Sequence, residues 1–161
     1  MNIRMCNSQD EEVWIELNRE FMRFEIQDDS PWNDTEKTPD HVFKHTFREA
    51  LQNPELITLL MIEEDGITIG FANLMTIYSV WAHGRALIID DLFIKEEHQK
   101  KGYGRKTMEY IEAHAKMNNY KRLQFQSETT NPKAKQFYEA LGYNATDMYF
   151  YVKYLFPRLQ N

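Results

Sequence analysis

The sequence predicts an α/β protein with α+β-like order: a mixed, mostly antiparallel central sheet with helices on both faces. Three observations predict it. Apolar residues recur at helical spacing in two N-terminal segments and at strand spacing through the middle of the chain. Asp65-Gly66 lies between two strand-like runs as a hairpin turn. The resulting order is α-α-β-β-β-α-β-α-β, which is not a run of alternating βα units.

Each element has a local cause. "MNIRMC" allows a short first strand. Ser8-Gln9-Asp10-Glu11 reads as a capping box, and Val13, Trp14, Leu17, Phe21 and Phe24 follow at helical spacing, so a helix is expected over about 8–26. The acidic, turn-rich "DDSPWNDTEKTP" forms a loop. Thr38 as N-cap and Pro39 at the first helical position open a second helix, with Val42, Phe43, Phe47, Ala50 and Leu51 on one face. Asn53-Pro54 ends it. Two strands flank Asp65-Gly66, and a turn at His83-Gly84 leads into another strand over about 86–94. Gly102 and Gly104 open a helix reaching roughly 117, with Met108, Ile111 and Ala115 inward. "KRLQFQSE" is the next strand. Asn131 as N-cap and Pro132 start the last helix, which carries Ala134, Phe137, Tyr138 and Leu141 and closes at Gly142. "YNATDMYFYVKYL" is expected to finish the sheet.

Length and composition bound the function. The 161 residues suit a single domain, 1–161. With 42% hydrophobic, 14% aromatic and 27% charged residues, the chain reads as soluble and globular. No apolar run approaches the ~18 residues of a membrane span, and the opening "MNIRMCNSQDEE" has no apolar secretory core. One cysteine, Cys6, fits a reducing cytoplasm, and the five histidines lack metal-ligand spacing, so no metal is expected. The net charge of −6 hides a split, −11 over residues 1–94 and +5 over 95–161. That split suggests one cationic and one anionic ligand, and the acidic total argues against nucleic acid.

"HQKKGYGRK", residues 98–106, carries two glycines among basic side chains just ahead of a helix. It is no nucleotide P-loop, because Arg105 precedes Lys106-Thr107 and Lys100 holds the earlier glycine position. Nor is it a dinucleotide fingerprint, whose third glycine is Thr107 here. Free N–H groups at a helix start nevertheless attract anions. The plain alternative is a solvated basic turn. Asp90 and Asp91 interrupt an apolar strand; alternation sends them to opposite faces unless a bulge intervenes. A buried carboxylate needs a partner, a cavity or a cation, so one of the pair is a catalytic or substrate-binding candidate. A structural salt bridge, for instance with Arg85, is the competing explanation.

Taken together, these stretches resemble the GNAT superfamily of acyl-CoA N-acyltransferases. The resemblance runs from about Ala86 to Tyr143. It rests on "DDLFI", on Gln99-Lys100-Lys101-Gly102-Tyr103-Gly104 against [RQ]-x-x-G-x-[GA], on the asparagine opening the last helix, and on Ala134, Phe137, Tyr138, Gly142 and Tyr143. It implies the acyl-CoA N-acyltransferase fold and acetyl-CoA as cosubstrate. Its pyrophosphate would meet the loop of Gln99, Lys100, Lys101, Gly102, Tyr103, Gly104 and Arg105. Its pantetheine would pair with the backbone of Leu92, Phe93 and Ile94 and reach Asn131. Tyr138 would protonate the departing CoA thiolate, although its spacing also suits a core aromatic, just as N-capping alone explains Asn131.

The implied activity is acetyl transfer to a primary amine by direct attack. "YSVWAHGRALIIDDLFI" is similar to the matching stretch of diamine N-acetyltransferases, which points to a small cationic, polyamine-like acceptor. Asp28, Asp29 and Asp34 would attract such a cation and Trp32 would offer a cation–π face. An amine of pKa near 10.4 is only about 0.04% neutral at pH 7, so Asp90 or Asp91 is expected to remove a proton, directly or through water. An aminoglycoside, a peptide amine, or a non-catalytic acetyl-CoA sensor are the alternatives. Neither membrane nor nucleic acid is expected as a partner, and the expected assembly is a homodimer.

Overall fold

The computed structural model describes residues 1–25, 38–129, 131–153 and 155. These fall into two compact units, Met1–Phe125 and Gln126–Asn161. The first contains β1 (Asn2–Met5), a 3-10 turn (Ser8–Asp10), α1 (Glu11–Glu25), α2 (Asp40–Gln52), β2 (Ile57–Glu64), β3 (Ile67–Ser79), β4 (Gly84–Ile94), a second 3-10 turn (Glu96–His98), α3 (Tyr103–Met117) and β5 (Arg122–Phe125). The second contains α4 (Pro132–Glu139).

The sheet order is β1-β2-β3-β4-β5. The first four strands pair antiparallel, and β5 joins β4 in parallel after the α3 crossover. The β2–β3 hairpin turns where expected, with φ of 51° at Asp65 and 78° at Gly66. Two positive φ values in succession suit a two-residue turn whose twist matches its strands. Gly70 has another cause, because a Cβ there would lie 2.2 Å from the Phe93 carbonyl oxygen on β4.

Two apolar layers cover the sheet. On one face, Trp14, Leu17, Phe43, Phe47 and Ala50 of α1 and α2 pack with Leu59, Met61, Phe71 and Phe93. On the other, Ile62, Ile69 and Ile94 meet Tyr103 at the start of α3. Alternation along β2 separates Leu59 and Met61 from Ile62. On β3, Ile69 and Phe71 reach opposite layers because the β2–β3 ladder slips between Ile62 and Glu63 and leaves Ile69 as the extra residue of a bulge. The helical spacing located α2's buried face correctly, at Phe43, Phe47 and Ala50. In α1 the stripe is narrower than expected: Val13 and Phe24 are exposed, while Ile15 and Asn18 are buried.

Both N-terminal caps sit one residue from their expected positions. Asn7, not Ser8, caps the first turn: its Oδ1 accepts from the Gln9 N–H at 2.9 Å, and Asp10 Oδ2 accepts from the Asn7 N–H at 2.8 Å. Asp10 is buried because Arg4 clamps both its oxygens at 2.8 Å, which holds its carboxyl below the usual range. Pro39 takes the cap position of α2 without a side-chain bond, and the Thr38 carbonyl accepts from Arg19 at 2.7 Å instead. Among the described residues the expected final strand is absent, since residues 143–153 adopt no regular structure. Aromatic β-propensity describes fit to a half-buried pleated surface, and without a partner ladder it does not make a strand.

Candidate active site

The β3–β4 ladder slips by one residue beside the acidic pair. Asn73 faces Asp91 and Leu74 faces Ile89, which leaves Asp90 as the extra residue of a bulge. Bulges re-aim side chains, and here both carboxylates serve one irregularity in an otherwise apolar strand. Asp91 is half-buried and accepts from Asn73 Nδ2 at 2.7 Å. Burial and the neighbouring Asp90 charge push its carboxyl up to about 6, and the Asn73 bond only partly opposes them. Asp90 is more open to solvent, and crowding by surrounding atoms raises it as well. Arg85 does not neutralise the pair: it donates to the Asn118 carbonyl at 2.5 Å and stacks on the Tyr120 ring at 4.7 Å. The salt-bridge alternative therefore fails for Arg85.

Asn73 is the centre of a buried polar chain that sequence reasoning missed. The Trp14 indole donates to Asn73 Oδ1 at 3.0 Å, Asn73 Nδ2 also donates to Asn18 Oδ1 at 3.2 Å, and Asn18 Nδ2 donates to the Trp14 carbonyl at 2.6 Å. Two signals could have found it. Asn18 lies one turn after Trp14 on an apolar helix face, and Asn73 interrupts the apolar "IGFANLM" run.

β5 accompanies β4 only as far as Ile89, so Asp90 to Ile94 have no strand beside them on that edge in this unit. The side chains of Phe93 and Ile94 are committed to the two apolar layers, and Leu92 packs beside Ile94. What Leu92, Phe93 and Ile94 offer a ligand is therefore their backbone. The chain then passes the 3-10 turn and enters α3 through Gln99-Lys100-Lys101-Gly102. Lys100 and Gly102 have φ of 59° and 85°. No side chain caps α3 at Gly102, and a Cβ there would meet only open space. The first N–H groups of a helix lack intrahelical acceptors, and an uncapped, glycine-lined opening beside Lys100, Lys101 and Arg105 suits an anion such as a pyrophosphate. Gln99 behaves differently, because its Nε2 donates to the Ile94 carbonyl at 2.9 Å. Its side-chain NH2 ties the loop to the end of β4.

Gly104→Val is expected to raise the acetyl-CoA dissociation constant at least tenfold, about 1.4 kcal/mol. Valine is a better helix former than glycine, so circular dichroism should show a folded protein. An unchanged calorimetric affinity would remove this loop from the binding site.

In the second unit, Asn131 Oδ1 accepts from the Ala134 N–H at 3.1 Å, so its N-cap role is present. Tyr138 lies in α4, half-buried, with its ring 5.0 Å from Phe137 and 6.3 Å from Tyr143 in edge contacts. The expected acceptor-site residues Asp28, Asp29, Trp32 and Asp34 lie outside the described residues. Cys6 packs against the α1–α2 layer, and burial pushes its thiol up to about 12, far from thiolate chemistry at neutral pH.

Comparison with known proteins agrees with this fold. The profile of the Acetyltransferase (GNAT) family matches residues 14–143, a stretch that runs through both units. The uncharacterized N-acetyltransferase YhfO of Bacillus subtilis (strain 168) is 31% identical over 144 residues, covering 89% of each chain. The D-amino-acid N-acetyltransferase HPA3 of Saccharomyces cerevisiae is 25% identical over 153 residues, covering 92% of this chain and 88% of its own. The crystal structure of aminoglycoside N-acetyltransferase AAC(6')-Iy in complex with CoA has the same fold, with a TM-score of 0.76 at 16% identity, covering 96% of this chain and 94% of that one. The chain belongs to the GNAT acetyltransferase family and is an acetyl-CoA-dependent N-acetyltransferase.

Proposed function

We propose that the enzyme acetylates a primary amine of a small cationic, polyamine-like acceptor, with Asp91 receiving the acceptor's proton. The acidic pair at the β4 bulge carries this reading. Two adjacent carboxylates with no cationic side-chain partner among the described residues are a place for a ligand cation, and the −11 balance of residues 1–94 extends the attraction. A carboxylate raised to about 6 is roughly nine-tenths ionised at pH 7, yet a stronger base than an ordinary aspartate.

The ammonium loses one proton before attack, which passes to Asp91 directly or through water. The nitrogen then bonds the acetyl carbon as the C–S bond breaks. Its second proton passes to water as the C–S bond breaks, and Tyr138 protonates the thiolate and regains its own proton from solvent. One proton is released overall. The α3 opening and the backbone of Leu92 to Ile94 hold the acetyl-CoA, so its thioester need only be oriented.

The name of the yeast relative favours a second reading, an amino acid's α-amine. Steady-state kinetics with spermidine, an aminoglycoside, a peptide amine and a D-amino acid separate the two. We expect spermidine to give the highest kcat/KM, and that value to fall as salt rises, because the attraction is electrostatic. A preference for the amino acid would replace the polyamine-like assignment.

A further inference from the structure

Asn73 is a buried amide in an otherwise apolar strand, and its neighbours dictate which end points where. The Trp14 indole N–H can only donate, and it donates to Asn73 Oδ1 at 3.0 Å. The Asn73 NH2 group must face the other way. One hydrogen goes to Asn18 Oδ1 at 3.2 Å and the other to Asp91 Oδ2 at 2.7 Å. Asn18 is oriented by the same logic, since its own NH2 donates to the Trp14 carbonyl at 2.6 Å. Each amide thus has one satisfied orientation. Burying two amides in an apolar layer is costly unless every group finds a partner, and this chain ends in a donor aimed at one carboxylate oxygen. Asp91 Oδ1 has no hydrogen-bond partner among the described residues, and the residue is half-buried rather than enclosed.

We propose that Asn73 is a positioning residue for acetyl transfer: its NH2 group, locked by Trp14 and Asn18, holds Asp91 by Oδ2 and presents Oδ1 to the acceptor nitrogen or a bridging water. This rests on the assignment of Asp91 as the proton acceptor. Among the described residues, the charged neighbour acting on Asp91 is Asp90 on its own strand. From β3 it faces the uncharged Asn73, and behind that the uncharged Asn18 and Trp14 of α1. The Asn73 bond favours the ionised form, against burial and Asp90. Losing the bond must therefore move the Asp91 titration upward.

The test compares the full-length parent, Asn73→Ala and Trp14→Phe. Three quantities are measured: the pH profile of kcat/KM for the amine, the KM for acetyl-CoA, and the Asp91 carboxyl titration by carbon-13 NMR. In Asn73→Ala, the acid limb and the titration should both rise by about one pH unit. Activity below the limb should fall about tenfold, with KM for acetyl-CoA changed less than about twofold. Trp14→Phe keeps an aromatic ring against Phe43 and Phe47, smaller than the indole, and removes the donor that sets the amide. It should shift both readouts in the same direction by less, and it decides alone if Asn73→Ala does not fold. A folded variant with titration and profile both unmoved overturns the lock and leaves Asp91 as the base. A titration that moves under an unchanged rate profile removes Asp91 from proton transfer, and the positioning role with it.

Discussion

Tyr138→Phe is expected to lower kcat by about 10²–10⁴-fold, the usual scale of a general acid, while acetyl-CoA affinity stays within about threefold. The substitution removes one oxygen and keeps the ring. The edge contacts to Phe137 at 5.0 Å and Tyr143 at 6.3 Å survive it. The end of α4 survives as well, because the Tyr138 carbonyl accepts the Leu141 and Tyr143 N–H groups through the backbone. An intact helix with a large kcat loss therefore isolates the hydroxyl. A phenol near pKa 10 donates uphill to a thiolate near 8.5, so orientation has to supply the advantage and a poorly placed acid would contribute little. Steady-state release of CoA thiol, with calorimetric affinity as the control, checks this. A kcat within about threefold of the parent would return Tyr138 to a packing role.

What was legible in the sequence had local causes. Phe43, Phe47 and Ala50 share a helix face by spacing alone, and Asp65-Gly66 makes its turn through its own backbone preferences. The start of α3 was legible for the same reason, since Gly102 sits at the helix opening among basic neighbours; the ligand of that opening remains part of the proposed function. The first two caps were legible only to within one position, whereas Asn131 caps α4 where expected. Asn7, Ser8, Thr38 and Pro39 are all reasonable helix openers, and backbone conformation chooses among them. The ends of an apolar stripe were not legible either: Phe24 keeps the period yet is exposed while its ring still meets Phe93 at 6.0 Å. The acidic pair announced itself by interrupting an apolar strand. Its geometry did not, because the bulge exists only in the register between β3 and β4, and the Asn73–Asp91 bond joins residues 18 apart.

Asp91→Asn is expected to cost about 10²–10⁴-fold in kcat/KM for the amine at pH 7 and to abolish the acid limb, while making the protein more stable. The two effects share one cause. Folding raises the Asp91 carboxyl from 3.8 to about 6, so the folded state holds this proton more tightly than the unfolded chain does. The sign follows: the parent loses stability as pH rises from about 4 to about 6, because ionisation is costlier in the folded protein. The full penalty is of order 3 kcal/mol above that window, reduced by solvent access to the half-buried side chain. Asparagine has nearly the same shape and still accepts from Asn73 through its oxygen, so the variant escapes the penalty without losing the buried chain. Urea melts at pH 4 and pH 7.5 should show the stability gain only at the higher pH, alongside the rate loss. A rate loss together with a stability gain confined to the higher pH would identify Asp91 as a base tuned for function rather than for folding. Retained activity with no pH-dependent gain would make Asp91 a structural residue and pass the proton to another group.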